Sequence, residues 1–87
     1  MATVFIPPQL RDLSAGRASV AVDGENLRQV FAALDRECPG FLARVARGEG
    51  LAPGLAVSID GVVTSRGFRA AVGEASEIHF LPAIGGG

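Results

Sequence analysis

Glu77-Ile78-His79-Phe80-Leu81-Pro82-Ala83-Ile84-Gly85-Gly86-Gly87 closes the chain and joins two opposite kinds of backbone. Glu77 to Leu81 is a strand-like run with alternating faces, so Phe80 and Leu81 point to opposite sides and only one is expected to be exposed. Gly85, Gly86 and Gly87 have no Cβ, so this segment can lie extended in a channel too narrow for side chains. Such a tail carries its carboxylate deep into another protein, which makes Gly87 the candidate reactive group. Three glycines bury little apolar area, so binding strength must come from neighbours, and Phe80, Leu81 and Pro82 are the candidate partner interface.

The rest of the chain supplies a compact scaffold for that end. Thr3-Val4-Phe5-Ile6 reads as a first strand stopped by Pro7-Pro8. Ala18-Ser19-Val20-Ala21-Val22 follows the turn residues Ser14 to Arg17 as a second strand, and the two suggest a hairpin-like pair. Leu27, Val30, Phe31 and Leu34 recur at i, i+3, i+4 and i+7, which predicts one apolar helix face. Asn26 is the expected N-cap, Gln29 can reach back in a capping-box arrangement, and Pro39-Gly40 ends the helix. Phe41 to Arg47 reads as a short second helix, and Gly48, Gly50, Pro53 and Gly54 make the next stretch a loop. Leu55 to Ile59 alternates like a half-buried strand and meets Asp60-Gly61, a tight-turn dipeptide, with Val62-Val63 beyond it. Residues 67–74 read as irregular chain, and Asp35, Arg36 and Glu37 as a solvated helix face.

With one main helix and a mixed sheet of four to five strands, the economical packing is a two-layer α+β domain with the helix across one sheet face. The expected organisation is a domain over residues 1–84 with a glycine tail at 85–87. If the final strand lies beside the first, the tail leaves from the middle of the sheet rather than from a frayed edge.

Composition narrows the function classes. The chain has 87 residues, with 48% hydrophobic and 20% charged, which fits one folded domain rather than a disordered segment. Cys38 and His79 are the only residues of their kinds, so an intramolecular disulfide and a Cys/His metal cluster are not expected. A formal net charge of −1 without a basic stripe argues against nucleic acid as a partner. No apolar stretch has membrane-span length and no signal-type segment is seen, so the expected location is the cytoplasm. All eight basic residues are arginines. A chain without lysine has no ε-amine to act as acceptor and cannot build lysine-linked chains of itself. His79 reads as a sheet-surface residue and Cys38 as a packing residue.

On this order of elements, the ending Ile78-His79-Phe80-Leu81-Pro82-Ala83-Ile84-Gly85-Gly86-Gly87 resembles that of the β-grasp, ubiquitin-like sulfur carriers of the ThiS/MoaD type. Val4-Phe5-Ile6-Pro7, Asn26-Leu27 and Val57-Ser58-Ile59-Asp60-Gly61 are similar to the family's first strand, helix opening and penultimate hairpin. Pro82 stands alone where many small subunits of molybdopterin synthase carry two adjacent prolines, and Gly85 is a third terminal glycine.

The resemblance implies a protein co-substrate rather than an enzyme, with no bound cofactor. An E1-like adenylyltransferase/sulfurtransferase would use ATP to adenylate the Gly87 carboxylate, which sulfide or a persulfide converts to a thiocarboxylate. Gly85 and Gly86 would occupy the partner's channel. The sulfur would pass to a synthase, either the molybdopterin synthase large subunit or a cysteine synthase-like enzyme, for molybdopterin, cysteine or a related compound. A ubiquitin-like modifier joined through Gly87 to target lysines and a plain interaction domain are the alternatives.

Overall fold

The structure is a computed structural model that describes residues 1–48, 50–64 and 66–83. Strand β1, Ala2–Phe5, pairs antiparallel with β2, Ser19–Val22, from Ala2↔Val22 to Phe5↔Ser19. The two are not a tight hairpin, because a 3-10 turn at Pro8–Leu10 lies between them and buries Leu10. Ala21 and Ser19 face away from the core while Val20 and Val22 are buried, the period-two pattern of a sheet with one covered face.

Helix α1, Leu27–Glu37, covers that face. Leu27, Val30, Phe31 and Leu34 are all 0% exposed, so the whole apolar stripe is spent on the core. Asn26 Oδ1 accepts from the Gln29 amide at 2.9 Å, which satisfies one of the orphan donors of the first turn. The reciprocal arm differs from a capping box: Gln29 Oε1 accepts from the Glu25 amide at 2.8 Å, one residue before the cap. Asn26→Ala is expected to lower stability by about 1 kcal/mol in urea unfolding, whereas Asn26→Asp should cost little.

After Pro39 and Gly40 the chain forms α2, Phe41–Val45, two residues shorter than the helix expected over 41–47, because Ala46 and Arg47 turn extended to pair in a ladder. The loop expected over 48–54 contains more order than Gly and Pro imply. Ala46–Arg47 (β3) and Gly50–Leu51 (β4) pair as a small separate ladder, with Gly48 at φ +59 supplying the left-handed corner. Strand β5, Leu55–Ile59, turns through Asp60 (φ 53) and Gly61 (φ 85) into β6, Val62–Val63. Positive φ at both central residues is the type I′ geometry that matches strand twist.

The final strand, β7, runs Glu77–Pro82 and sits in the middle. It pairs parallel with β1 at Thr3↔Glu77 and Val4↔Ile78, and antiparallel with β5 from Leu55↔Pro82 to Ile59↔Ile78. The five-stranded order is β2-β1-β7-β5-β6, the β-grasp arrangement with the helix across one face.

The core centres on Phe31. Its ring meets Phe41 edge-on at 5.8 Å, Phe68 edge-on at 5.7 Å and Phe80 stacked at 5.7 Å. Phe68 comes from the stretch read as irregular. There Gly67–Arg69 is a 3-10 turn, and Phe68, Ala70 and Val72 are buried. The Leu27 amide donates to the Ala70 carbonyl and the Val72 amide to that of Glu25, so this segment is tied to the start of α1. Asp35 also departs from a purely solvated role: its Oδ1 accepts from the Leu42 amide at 3.0 Å and holds α2 against α1.

Candidate functional site

The site begins where β7 ends. Among the described residues Leu55↔Pro82 is the last ladder pair, and the Ala83 amide then donates to the Gly54 carbonyl at 3.0 Å. Gly54 stands at φ +82, a left-handed conformation that the Pro53-Gly54 corner needs to aim that carbonyl. Backbone ladder bonds therefore hold the chain up to Ala83. The predicted tail residues Gly85, Gly86 and Gly87 lie outside the described residues.

Phe80 and Leu81 occupy opposite faces, as strand alternation requires, but neither is fully exposed; both are half-buried. Phe80 turns inward onto Phe31 and onto Phe41, whose ring is 5.7 Å away. Its remaining surface lines a groove of about 230 Å³ beside the tail root, together with Pro7, Leu10, Val45, Leu55 and Pro82. Leu81 is paired with Ala56 on the open face, and Pro82 is exposed at the strand's end. Arg44 closes one side of the groove, where its guanidinium donates to Asp12 Oδ2 at 3.4 Å and to the Gln9 carbonyl at 3.3 Å. Arg44, Leu10 and Gly54 were not singled out from sequence. Of these only Gly54 carries a local signal, in the Pro53-Gly54 dipeptide, which marks a loop.

The open sheet face carries one aromatic pair. His79 stacks on Phe5 with ring centroids 4.3 Å apart and an interplanar angle of 3°. Thr3 lies on this face of β1, and Ser58 is the cross-strand partner of His79. The exposed Glu77, paired with Thr3, adds one carboxylate to this face beside the aromatic pair. Cys38 is buried at the end of α1, with an Arg17 guanidinium nitrogen 3.8 Å from Sγ. Among the described residues no group of three His, Cys, Asp or Glu side chains is placed to hold a metal. No helix of the described residues is long and apolar enough to cross a membrane.

At the opposite end of β7, Asp60 anchors the strand's entry. Its carboxylate accepts from the Ser76 hydroxyl at 2.8 Å and from the Glu77 amide at 2.9 Å, while Ser76 Oγ accepts from the Gly73 amide. The Glu77 amide first and the Ser76 hydroxyl second hold the Asp60 carboxyl below its ordinary value of 3.8. A lowered folded-state pKa contributes stability that is present above the unfolded value and is lost as pH falls through the folded one. Asp60→Asn, which tolerates the positive φ, is thus expected to flatten the loss of stability below about pH 4 in acid titration followed by circular dichroism.

This geometry, a β-grasp domain whose central last strand leads into a glycine tail, defines a ubiquitin-like carrier or modifier. The chain belongs to the ThiS family, whose model matches residues 4–87. Its structure is similar to that of a chain in the crystal structure of the Amycolatopsis orientalis BexX/CysO complex, with 28% identity, TM-score 0.90 and full coverage of both chains. It is also similar to Mycobacterium tuberculosis CysO, described as an antigen, with 25% identity and TM-score 0.87 over 97% of this chain and 100% of that one. SAMP1 from Haloferax volcanii shares the fold at 20% identity and TM-score 0.68, over 99% of this chain and 98% of that one. No curated protein matches the sequence.

Proposed function

We propose that the chain is a sulfur carrier that works through the Gly87 carboxylate. The observation that carries the reading is the tail root: a central strand held by ladder bonds up to Ala83, followed in sequence by Ile84-Gly85-Gly86-Gly87. Four extended residues span at most about 14 Å, enough to carry a terminal carboxylate into a buried active site while the folded body stays outside.

A carboxylate resists nucleophilic attack because its charge and resonance oppose it. An activating enzyme of the E1 type therefore joins the Gly87 oxygen to the α-phosphate of ATP and releases pyrophosphate. Sulfide then attacks the acyl carbon, AMP leaves, and a C-terminal thiocarboxylate remains. A persulfide donor gives an acyl disulfide instead, which a second thiol cleaves to the same product. The thiocarboxylate is a covalent intermediate borne on a carrier, and an acceptor synthase takes its sulfur.

The domain's own contribution is binding and aim. Leu81 and Pro82, with the exposed rim of Phe80, form the partner interface next to the tail, and Gly85 and Gly86 fill the channel. The acceptor belongs to the biosynthesis of molybdopterin, cysteine or a related sulfur compound, and the setting is cytoplasmic.

Co-expression with an E1-like activating enzyme tests the reading by intact-protein mass spectrometry. The expected product is the chain with one oxygen replaced by sulfur. A covalent adduct with a second protein through a lysine would instead establish a modifier, and an unchanged mass in the presence of active enzyme, sulfur donor and ATP would overturn both.

A further inference from the structure

The sheet has a second surface, away from the tail root. Strand β6 is the outermost of the five, and its two residues are among the most exposed large apolar side chains, Val62 at 69% and Val63 at 57%. Edge strands are usually blunted by shortness, lysine, proline or charge; this one is only two residues long, but both are exposed valines and no charge stands on it.

Its pairing decides which backbone groups are free. Ile59↔Val62 closes the Asp60-Gly61 turn, and the Thr64 amide donates to the Val57 carbonyl at 3.0 Å. By antiparallel alternation the N–H and C=O of Val63, between them, point away from β5. Beside this edge runs an open groove of about 460 Å³ floored by Ile59, Val62 and Ala70. Arg66 and Arg69 flank it, both exposed, and neither guanidinium has an acidic partner among the described residues. By contrast, Arg11 donates to the Ile6 carbonyl, Arg17 to that of Ser14, and Arg44 to Asp12.

We propose that the β6 edge and its groove bind an extended acidic segment of a partner protein, added as a sixth strand. Val63 supplies the backbone donor and acceptor, the groove takes alternate apolar side chains, and Arg66 and Arg69 take carboxylates. Charge decides the occupant. A second copy of this chain, paired antiparallel about Val63, would set Asp60 opposite Arg66, and that carboxylate already accepts from Ser76 and Glu77. The edge and the tail root lie at opposite ends of β5, since Ile59 pairs with Val62 and Leu55 with Pro82. Occupying one leaves the other open.

The test uses the full chain and a fluorescein-labelled octapeptide that alternates valine with aspartate. Fluorescence anisotropy should show saturable binding that weakens with added salt, and amide shifts in nitrogen-15 spectra should centre on Val62, Val63, Arg69 and Ala70. Arg66→Glu combined with Arg69→Glu should weaken binding about tenfold or more with an unchanged melting curve. N-methylation of the peptide's ladder-forming amides should abolish binding while keeping every carboxylate. Equal affinity for a valine–lysine peptide, shifts mapping to the open sheet face, or self-association through β6 in place of peptide binding would each overturn the proposal. These readouts involve neither the tail nor sulfur, so they stand or fall apart from the carrier function.

Discussion

Gly86→Val is expected to leave the melting curve of the domain unchanged while lowering adenylation by the activating enzyme by about 100-fold or more. Fold and activation separate because the described pairs and bonds that hold β7 lie within residues 77–83, none of which the substitution changes. A Cβ with two methyl groups widens the tail where a narrow channel must enclose it, and it restricts the backbone angles available there. Moving the carboxylate by even 1 Å from its position for attack can cost about two orders of magnitude in rate. ATP–pyrophosphate exchange measures the adenylation step directly, before any sulfur is transferred. Normal exchange by the folded variant would sink the channel argument and with it the assignment of Gly85 and Gly86.

Phe31→Ala should produce the largest loss of stability of any single truncation in the molecule. The ring is fully buried and meets three other phenylalanine rings contributed by α2, the 3-10 turn at Gly67–Arg69 and β7. Removing it leaves a cavity that three separate elements must collapse around, a loss of about 3–5 kcal/mol. A domain of this length has about 4–13 kcal/mol in total, so the variant would sit near the edge of folding. The urea midpoint should fall by a third or more, against a negligible change for Arg36→Ala on the exposed side of the same helix. A midpoint shift no larger than that of the surface control would show that the aromatic cluster is not the centre of the core.

These two residues also mark what was legible in the sequence and what was not. The helix stripe through Phe31, its Asn26 cap and the Asp60-Gly61 turn are local signals, written within a few positions of one another, and all appear in the structure. The pairing of β7 with β1 entered the sequence reading only as a condition for the tail to leave mid-sheet, and Thr3↔Glu77 meets that condition. What escaped is non-local. Phe68, Ala70 and Val72 are buried at alternate positions, but the apolar Ala71 between them and the flanking Gly67 and Gly73 mask that alternation in the sequence, and a segment of 3-10 turn and bridge is buried by tertiary contact with α1. The β3–β4 ladder is only two residues per strand, too short for alternation to register.

At the candidate site, the tail's glycines were readable by composition alone. Gly54, which anchors the tail root, and the groove of Pro7, Leu10 and Val45 were not, since they meet Pro82 only after the sheet closes. Phe80, an expected interface anchor, divides its ring between that groove and the core.

The central place of β7 has a further consequence for how the molecule is made. Translation delivers β1 first and the strand that must lie beside it more than seventy residues later, as Thr3↔Glu77 records. Until residues 77–82 have left the ribosome the sheet lacks its middle member, β5 has only the short β6 as neighbour, and the apolar face of α1 has no complete surface to cover. Domains generally fold as units once their chain has emerged, and long-range pairing of this kind comes late. A synthesis product that stops before β7 would thus be both unfolded and tailless, and open to proteolysis. Completing the fold and making the glycine end become a single event, so under the proposed carrier function the pool of folded molecules is also the pool able to be loaded.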